Sequence, residues 1–210
     1  MIESWKKLTF TQHYPKTDLF RYRAMAYLMI PEKNEINRFL VKSARNKITF
    51  YICSSSEGSL QMLESFFTRL YACRTDPAEN PLSPGESVMA AYRVKISKSS
   101  GIFYYPALLQ NIAMIASATE NSEIGYEIVI MNKNNRGYAV LNRLHVISGN
   151  ADIRNLKFQI KSIYRRAHRE SKIKLKPLKT VKFVTVRKRF SADPSMLMNF
   201  IRIPEDERLV

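Results

Sequence analysis

Apolar positions along the chain recur with two periods. "KITFYICS" (47–54) and "VLNRLHVI" (140–147) are short runs rich in β-branched and aromatic residues, and they read as strands. A turn of Ser, Gly, Asn and Asp residues follows each run. Beyond it the apolar residues change to helical spacing: Leu60, Leu63, Phe67, Leu70 and Tyr71 in the first case, Ile153, Leu156, Ile160, Ile163 and Tyr164 in the second. Laid against each other without a gap, residues 51–71 and 144–164 match at a constant offset of 93. Ser59 and Asp152 are the expected helix N-caps.

Further runs complete the pattern. "LFRYRAMAYLMI" (19–30), "VMAAYRVKIS" (88–97), "IGYEIVIMN" (124–132) and "VKFVTVRKRF" (181–190) read as strands, and "PALLQNIAMIASA" (106–118) reads as a helix. "RTDPAENPLSPGES" (74–87) and the stretch from Ser171 to Lys179 read as the loops that return each helix to a strand. In the tail, Met196, Leu197, Phe200 and Ile201 make a short amphipathic turn or two ahead of Pro204. The expected architecture is α+β: two related split-βαβ, ferredoxin-like units forming one or two small domains. Residues 1–98 would hold the first unit, with its strand–helix core at 47–97. Residues 99–210 would hold the second, with its core at 124–190 and a closing segment at 191–210.

Charge changes this picture. The 210 residues carry 34 Lys or Arg and 18 Asp or Glu, a net +16. Residues 150–190 alone hold fourteen basic side chains against Asp152 and Glu170, a net +12. The candidate contacts for an anionic partner are Arg154, Lys157, Lys161, Arg165, Arg166, Arg169, Lys172, Lys174, Lys176, Lys179, Lys182, Arg187, Lys188 and Arg189. On the second repeat helix, Arg154, Lys157, Lys161, Arg165 and His168 fall on one stripe, away from the apolar face. Such a stripe suits nucleic-acid phosphates, an anionic lipid surface or an acidic protein. Phe183 and Phe190 are an odd number apart and would face opposite ways on a strand, so no stacking platform is apparent. The expected nucleic-acid contact is therefore to the backbone.

Enzyme chemistry leaves little trace. There is no G-x-x-x-x-G-K-[ST] loop, no G-x-G-x-x-G, no H-E-x-x-H and no C-x-x-C, and His13, His145 and His168 are scattered. Neither a catalytic residue, a metal site nor a cofactor is expected. Ser54, Ser55 and Ser56 suggest no triad. Cys53, in an apolar strand, reads as a small buried hydrophobe. Gly149 opens a strand-to-helix turn where free N–H groups could meet a phosphate, but a glycine easing a tight turn is the favoured reading. Two cysteines without a disulfide framework, no signal peptide and no window long enough to span a bilayer lead to an expected cytoplasmic location.

The order of segments resembles the N-terminal, non-motor region of conjugative-transfer ATPases, the type IV secretion ATPases of the HerA/FtsK superfamily. Four stretches carry the resemblance: "ITFYICSSSEGSLQMLESFFTRLYA" (48–72), "YYPALLQNIAMIASATENSEIGYEIVIMN" (104–132), "GYAVLNRLHVISGNADIRNLKFQIKSIYRRA" (137–167) and "RKRFSADPSMLMNFIRIP" (187–204). The match is one of pattern and order across residues 19–204, and the Walker motifs are absent. The resemblance implies a non-catalytic docking domain at the cytoplasmic face of a transfer channel, peripheral on the inner membrane. It would couple an ATPase motor to membrane subunits, contact DNA or anionic lipid, and could form homo-oligomers. Segment 191–210 would lead toward the motor. The alternative is a stand-alone basic nucleic-acid-binding protein, a plasmid or viral replication or transfer accessory.

Overall fold

Long runs of alternating or continuous apolar residues dominate the chain, and they pair into one antiparallel sheet. A computed structural model describes residues 4–10, 24–45, 47–71, 73–83, 88–95, 115, 122–134, 137–148, 153–167 and 174–178. The strands are β1 (Ser4–Phe10), β2 (Ile36–Ala44), β3 (Lys47–Ser54), β4 (Cys73–Ala78), β5 (Val88–Lys95), β6 (Glu123–Asn134), β7 (Gly137–Ser148) and β8 (Lys174–Pro177). Two helices, α1 (Glu57–Leu70) and α2 (Ile153–Ala167), and a 3-10 turn at Ala26–Met29 accompany them. This is the expected mixture of helix and antiparallel sheet.

The strand order is β4-β1-β3-β2-β6-β7-β5-β8. Read outward from the middle, the second half repeats the order of the first. β3 and β4 both run antiparallel to β1, which lies between them, and β7 and β8 flank β5 in the same way. The halves join where β2 pairs with β6 from Ile36↔Met131 to Ala44↔Glu123.

One face of the sheet carries the main core. Phe39, Val41, Phe50 and Ile52 from the first half share a cluster with Tyr126, Ile128, Leu144 and Val146 from the second. Both helices pack here. Leu63 and Leu156 are buried in this cluster, as are Phe67 and Ile160, and each pair is related by the offset of 93. The matching apolar positions thus play the same packing role in the two halves.

Several expectations are corrected. Residues 24–30 of the expected first strand are helical or bent rather than extended. Ala, Met and Leu favour a helical turn, and Pro31 ends it. β1 and β2, which alternate only weakly in hydrophobicity, were not expected as strands. The expected loop at 74–87 begins inside β4, and the one at 171–179 contains β8. Pro77 and Pro177 masked both strands. Each sits in an edge strand, where a missing N–H costs no ladder bond.

The cap of α1 is Ser56 rather than Ser59: the Ser56 Oγ accepts from the Ser59 N–H at 3.3 Å. The expected strand at 181–190, the tail helix, Asp152 and Gly149 lie outside the described residues, as does the expected helix at 106–118 apart from Ile115, which is helical and buried. Replacing Ser56 by alanine should lower stability by about 1 kcal/mol, the usual worth of such a cap, measured by urea denaturation.

The serines near Cys53 are occupied structurally. Ser55 Oγ accepts from the Ile36 N–H at 2.9 Å, and Ser54 Oγ donates to the Ile36 carbonyl at 3.4 Å. Ser59 Oγ donates to Glu35. Together they fasten the start of β2 to the β3–α1 turn.

Candidate functional site

Two sets of cations emerge, on opposite sides of the sheet. On α2, Leu156 and Ile160 face the core. Arg154 and Lys161 are exposed on the outer side, and Lys157 is half-buried. Arg165 and Arg166 belong to the C-terminal end of the same helix. Neither α2 nor β8 contains an acid.

The second set follows strand register. Arg143 on β7 lies directly opposite Arg93 on β5, and Arg93 lies directly opposite Lys176 on β8. Directly opposed residues share a face. The neighbours of Arg93, Tyr92 and Val94, join the helix-covered core, so this row occupies the other face. It grades from buried Arg143 through half-buried Arg93 to exposed Lys176. Lys174 shares β8 two residues before Lys176, with Leu175 between them turned to the core. Arg169, Lys172, Lys179, Lys182, Arg187, Lys188 and Arg189 lie outside the described residues. The structure therefore divides the described candidates between two surfaces. Arg93 and Arg143 had no signal in the sequence, since each stands singly in an apolar strand and meets Lys176 only through register.

The inner end of this row is a buried ionic cluster. Glu127 on β6 is directly opposite Arg143, and both Glu127 and His145 are 0% exposed. His145 Nε2 lies 2.8 Å from Glu127 Oε2, and Arg143 Nη1 lies 3.5 Å from the same oxygen. Arg38 Nη1, on β2, donates to Glu127 Oε1 at 3.3 Å. Burial alone would raise the Glu127 carboxyl. The His145 hydrogen bond and charge, with the charges of Arg143 and Arg38, outweigh it and hold the group below its ordinary value. An ionised partner requires the proton of that hydrogen bond to sit on His145 Nε2. With Glu127 and His145 both fully buried, the cluster is built as an internal clamp across β2, β6 and β7.

Gly125, directly opposite His145, keeps this face closely packed. A Cβ there would stand 3.2 Å from both Leu40 Cδ1 and Leu82 Cδ2. Leu82 closes over Trp5, Leu40 and Cys53, so Cys53 is the buried small residue expected. Cys73 is also buried, which pushes its thiol up to about 11 and keeps it protonated.

A groove of about 480 Å³ runs between the 3-10 turn and α1, lined by Met25, Tyr27, Leu28, Met62 and Arg69. Its described lining contains no carboxylate, histidine or cysteine. No group of three potential metal ligands occurs among the described residues, and no described helix is long and apolar enough to cross a membrane.

One outward residue breaks the polar pattern of α2. Phe158 is 72% exposed, four residues after Arg154 and three before Lys161. Its place on the cationic stripe is legible from helical spacing, whereas Phe183 and Phe190 lie outside the described residues.

No family model matches the chain, and no curated protein matches it. Among solved structures, a berberine bridge enzyme variant that is a reticuline dehydrogenase is similar at 8% identity and a TM-score of 0.41, covering 94% of this chain and 44% of that one. A second variant of the enzyme, in complex with (S)-reticuline, is similar at 7% identity and a TM-score of 0.42, covering 92% and 43%. A Fusobacterium nucleatum protein assigned as a monooxygenase is similar at 12% identity and a TM-score of 0.30, covering 85% and 93%. The chain spans less than half the length of the two berberine bridge enzyme chains. At these scores the likeness carries no argument about function.

Proposed function

We propose that this chain is a non-catalytic binding domain that meets a polyanion through the outer face of α2 and the β8 edge. The observation that carries the reading is the exposure of Arg154, Lys161 and Lys176 on two elements that contain no acid. Among the described residues no ion pair holds these three cations, which leaves them available to phosphates, and their charge favours contact with a backbone rather than with base edges. The row formed by Arg93 and Lys176 supports the same reading, because like charges placed directly opposite each other repel until an anion joins them.

The setting we propose is a conjugative-transfer or type IV secretion machine, in which the domain couples an ATPase motor to membrane subunits and touches DNA. The segment order that resembles such ATPases supports this setting. A G-x-x-x-x-G-K-[ST] loop encoded beyond Val210 would strengthen it. The repeated strand order supports a finer reading of the fold as two ferredoxin-like units joined edge to edge through β2 and β6. In that reading β5 (Val88–Lys95) belongs to the second unit, which moves the expected boundary at 98/99 to a point before Val88.

Filter binding to duplex DNA across a range of salt concentrations tests the polyanion contact. The native chain should show a log–log slope steeper than about −2. Replacing Arg154 and Lys161 together by alanine should make it shallower by about 2, one for each lost phosphate contact. A native slope near zero would sink the reading.

A further inference from the structure

We infer that Phe158 is a base-stacking residue, and that the polyanion met by α2 is single-stranded nucleic acid. The inference rests on the polyanion reading and narrows its ligand. Phe158 is 72% exposed on a well-formed helix whose neighbouring outward positions are polar or charged. Among the described residues its placement has no packing explanation, because the core contacts of α2 are made by Leu156 and Ile160.

The first helix serves as an internal control. At the offset of 93, the core positions of the two helices correspond: Leu63 with Leu156 and Phe67 with Ile160. The outward positions do not. Exposed Gln61 corresponds to Arg154 and exposed Thr68 to Lys161, while half-buried Glu64 corresponds to Lys157 and half-buried Ser65, which lines the groove beside the 3-10 turn, to Phe158. The same packing role thus goes with exposed, neutral Gln61 and Thr68 in one half and with the exposed cations Arg154 and Lys161 around an aromatic ring in the other. Packing against the sheet fixes the core set of residues and does not fix the exposed positions, so the exposed cations and ring of α2 report a use.

The chemistry of that use follows from the arrangement. At a rise of about 1.5 Å per residue, Arg154 lies about 6 Å before Phe158 along the axis and Lys161 about 4.5 Å after it. An exposed ring with cations on both sides matches the way single strands are held, with a base on the ring and the backbone phosphates on flanking charges. In a duplex the bases are stacked on one another and the ring has no partner. A membrane surface would ask for a broad apolar face on the helix, whereas Arg154, Asn155 and Lys161 surround a lone aromatic.

The test compares the native chain with Phe158→Ala and Phe158→Trp. Each is titrated by fluorescence anisotropy into a labelled oligothymidylate and into a labelled DNA hairpin duplex, and each is sedimented with phosphatidylserine-containing vesicles. Phe158→Ala should weaken oligothymidylate binding by about fivefold to a hundredfold, the worth of one stacked base. Duplex binding and the salt slope should stay unchanged, and Phe158→Trp should restore single-strand affinity. Because Phe158 is exposed, thermal melts of the variants should match the native chain. The inference is overturned if Phe158→Ala leaves oligothymidylate binding intact, if it weakens duplex and single strand equally, or if its only effect is on vesicles. Failure of the native chain to bind either nucleic acid would overturn the polyanion reading as well, which separates the two failures.

Discussion

Glu127→Gln should destabilise the protein by about 3 kcal/mol, read as a drop in the urea midpoint at neutral pH without a change in denaturant slope. The amide keeps the shape of the side chain and removes its charge. Arg38, Arg143 and His145 would then face one another without the carboxylate between them. Breaking a buried ion cluster from one side typically costs about 3–5 kcal/mol, and the lower end is expected because Arg38 retains 11% of its side-chain exposure. A loss of this size is a large fraction of the roughly 5–15 kcal/mol by which domains are stable.

The effect should depend on pH in a defined direction. The folded-state Glu127 carboxyl is held below its ordinary value of 4.5. Its contribution is therefore fully present above the unfolded-state value and is lost as pH falls through the lower, folded-state value. The gap between native chain and variant should stay constant around neutrality and narrow in acid. Equal stability of the two at pH 7 would show that the carboxylate is not the element binding β2, β6 and β7 together.

Phe67→Ala should cost about 3–5 kcal/mol, by loss of transfer energy and the cavity left behind. Phe67 is fully buried on α1 and lies at the centre of an aromatic group. Its ring stacks on Phe39 at 5.3 Å and an 8° interplanar angle, meets Phe66 edge-on at 5.0 Å and stacks on Tyr71 at 6.1 Å. Phe39 belongs to β2 and so to the strand that joins the halves. Phe67→Leu should cost clearly less, because it keeps most of the apolar contact and loses only the ring geometry. Near-UV circular dichroism should weaken in both variants. Equal, small losses in the denaturation midpoint would mean that α1 is not anchored through this ring.

Strands whose hydrophobic pattern is strong were legible before any coordinates. β3, β5, β6 and β7 fall within a few residues of their expected bounds, and the helical spacing after β3 and β7 marks α1 and α2. The constant offset between residues 51–71 and 144–164 identified which positions of the two helices would be buried alike. The basic stripe on α2 was legible for the same reason, since local periodicity decides which side of a helix a residue occupies.

What local pattern does not contain is pairing. β4 and β8 are edge strands of four to six residues that include a proline, and their own composition says turn. They are strands because β1 and β5 offer them free edges. Likewise Glu127, Arg38, Arg143 and His145 are separated by up to 107 positions in sequence and become neighbours only through the registers of β2, β6 and β7. The sequence by itself determined the class of fold, the repeated strand–helix unit and the cationic side of α2. Only the tertiary structure decided the strand order, the buried clamp around Glu127, and the separation of the basic residues onto two faces, because each depends on hydrogen-bond register between segments far apart in the chain.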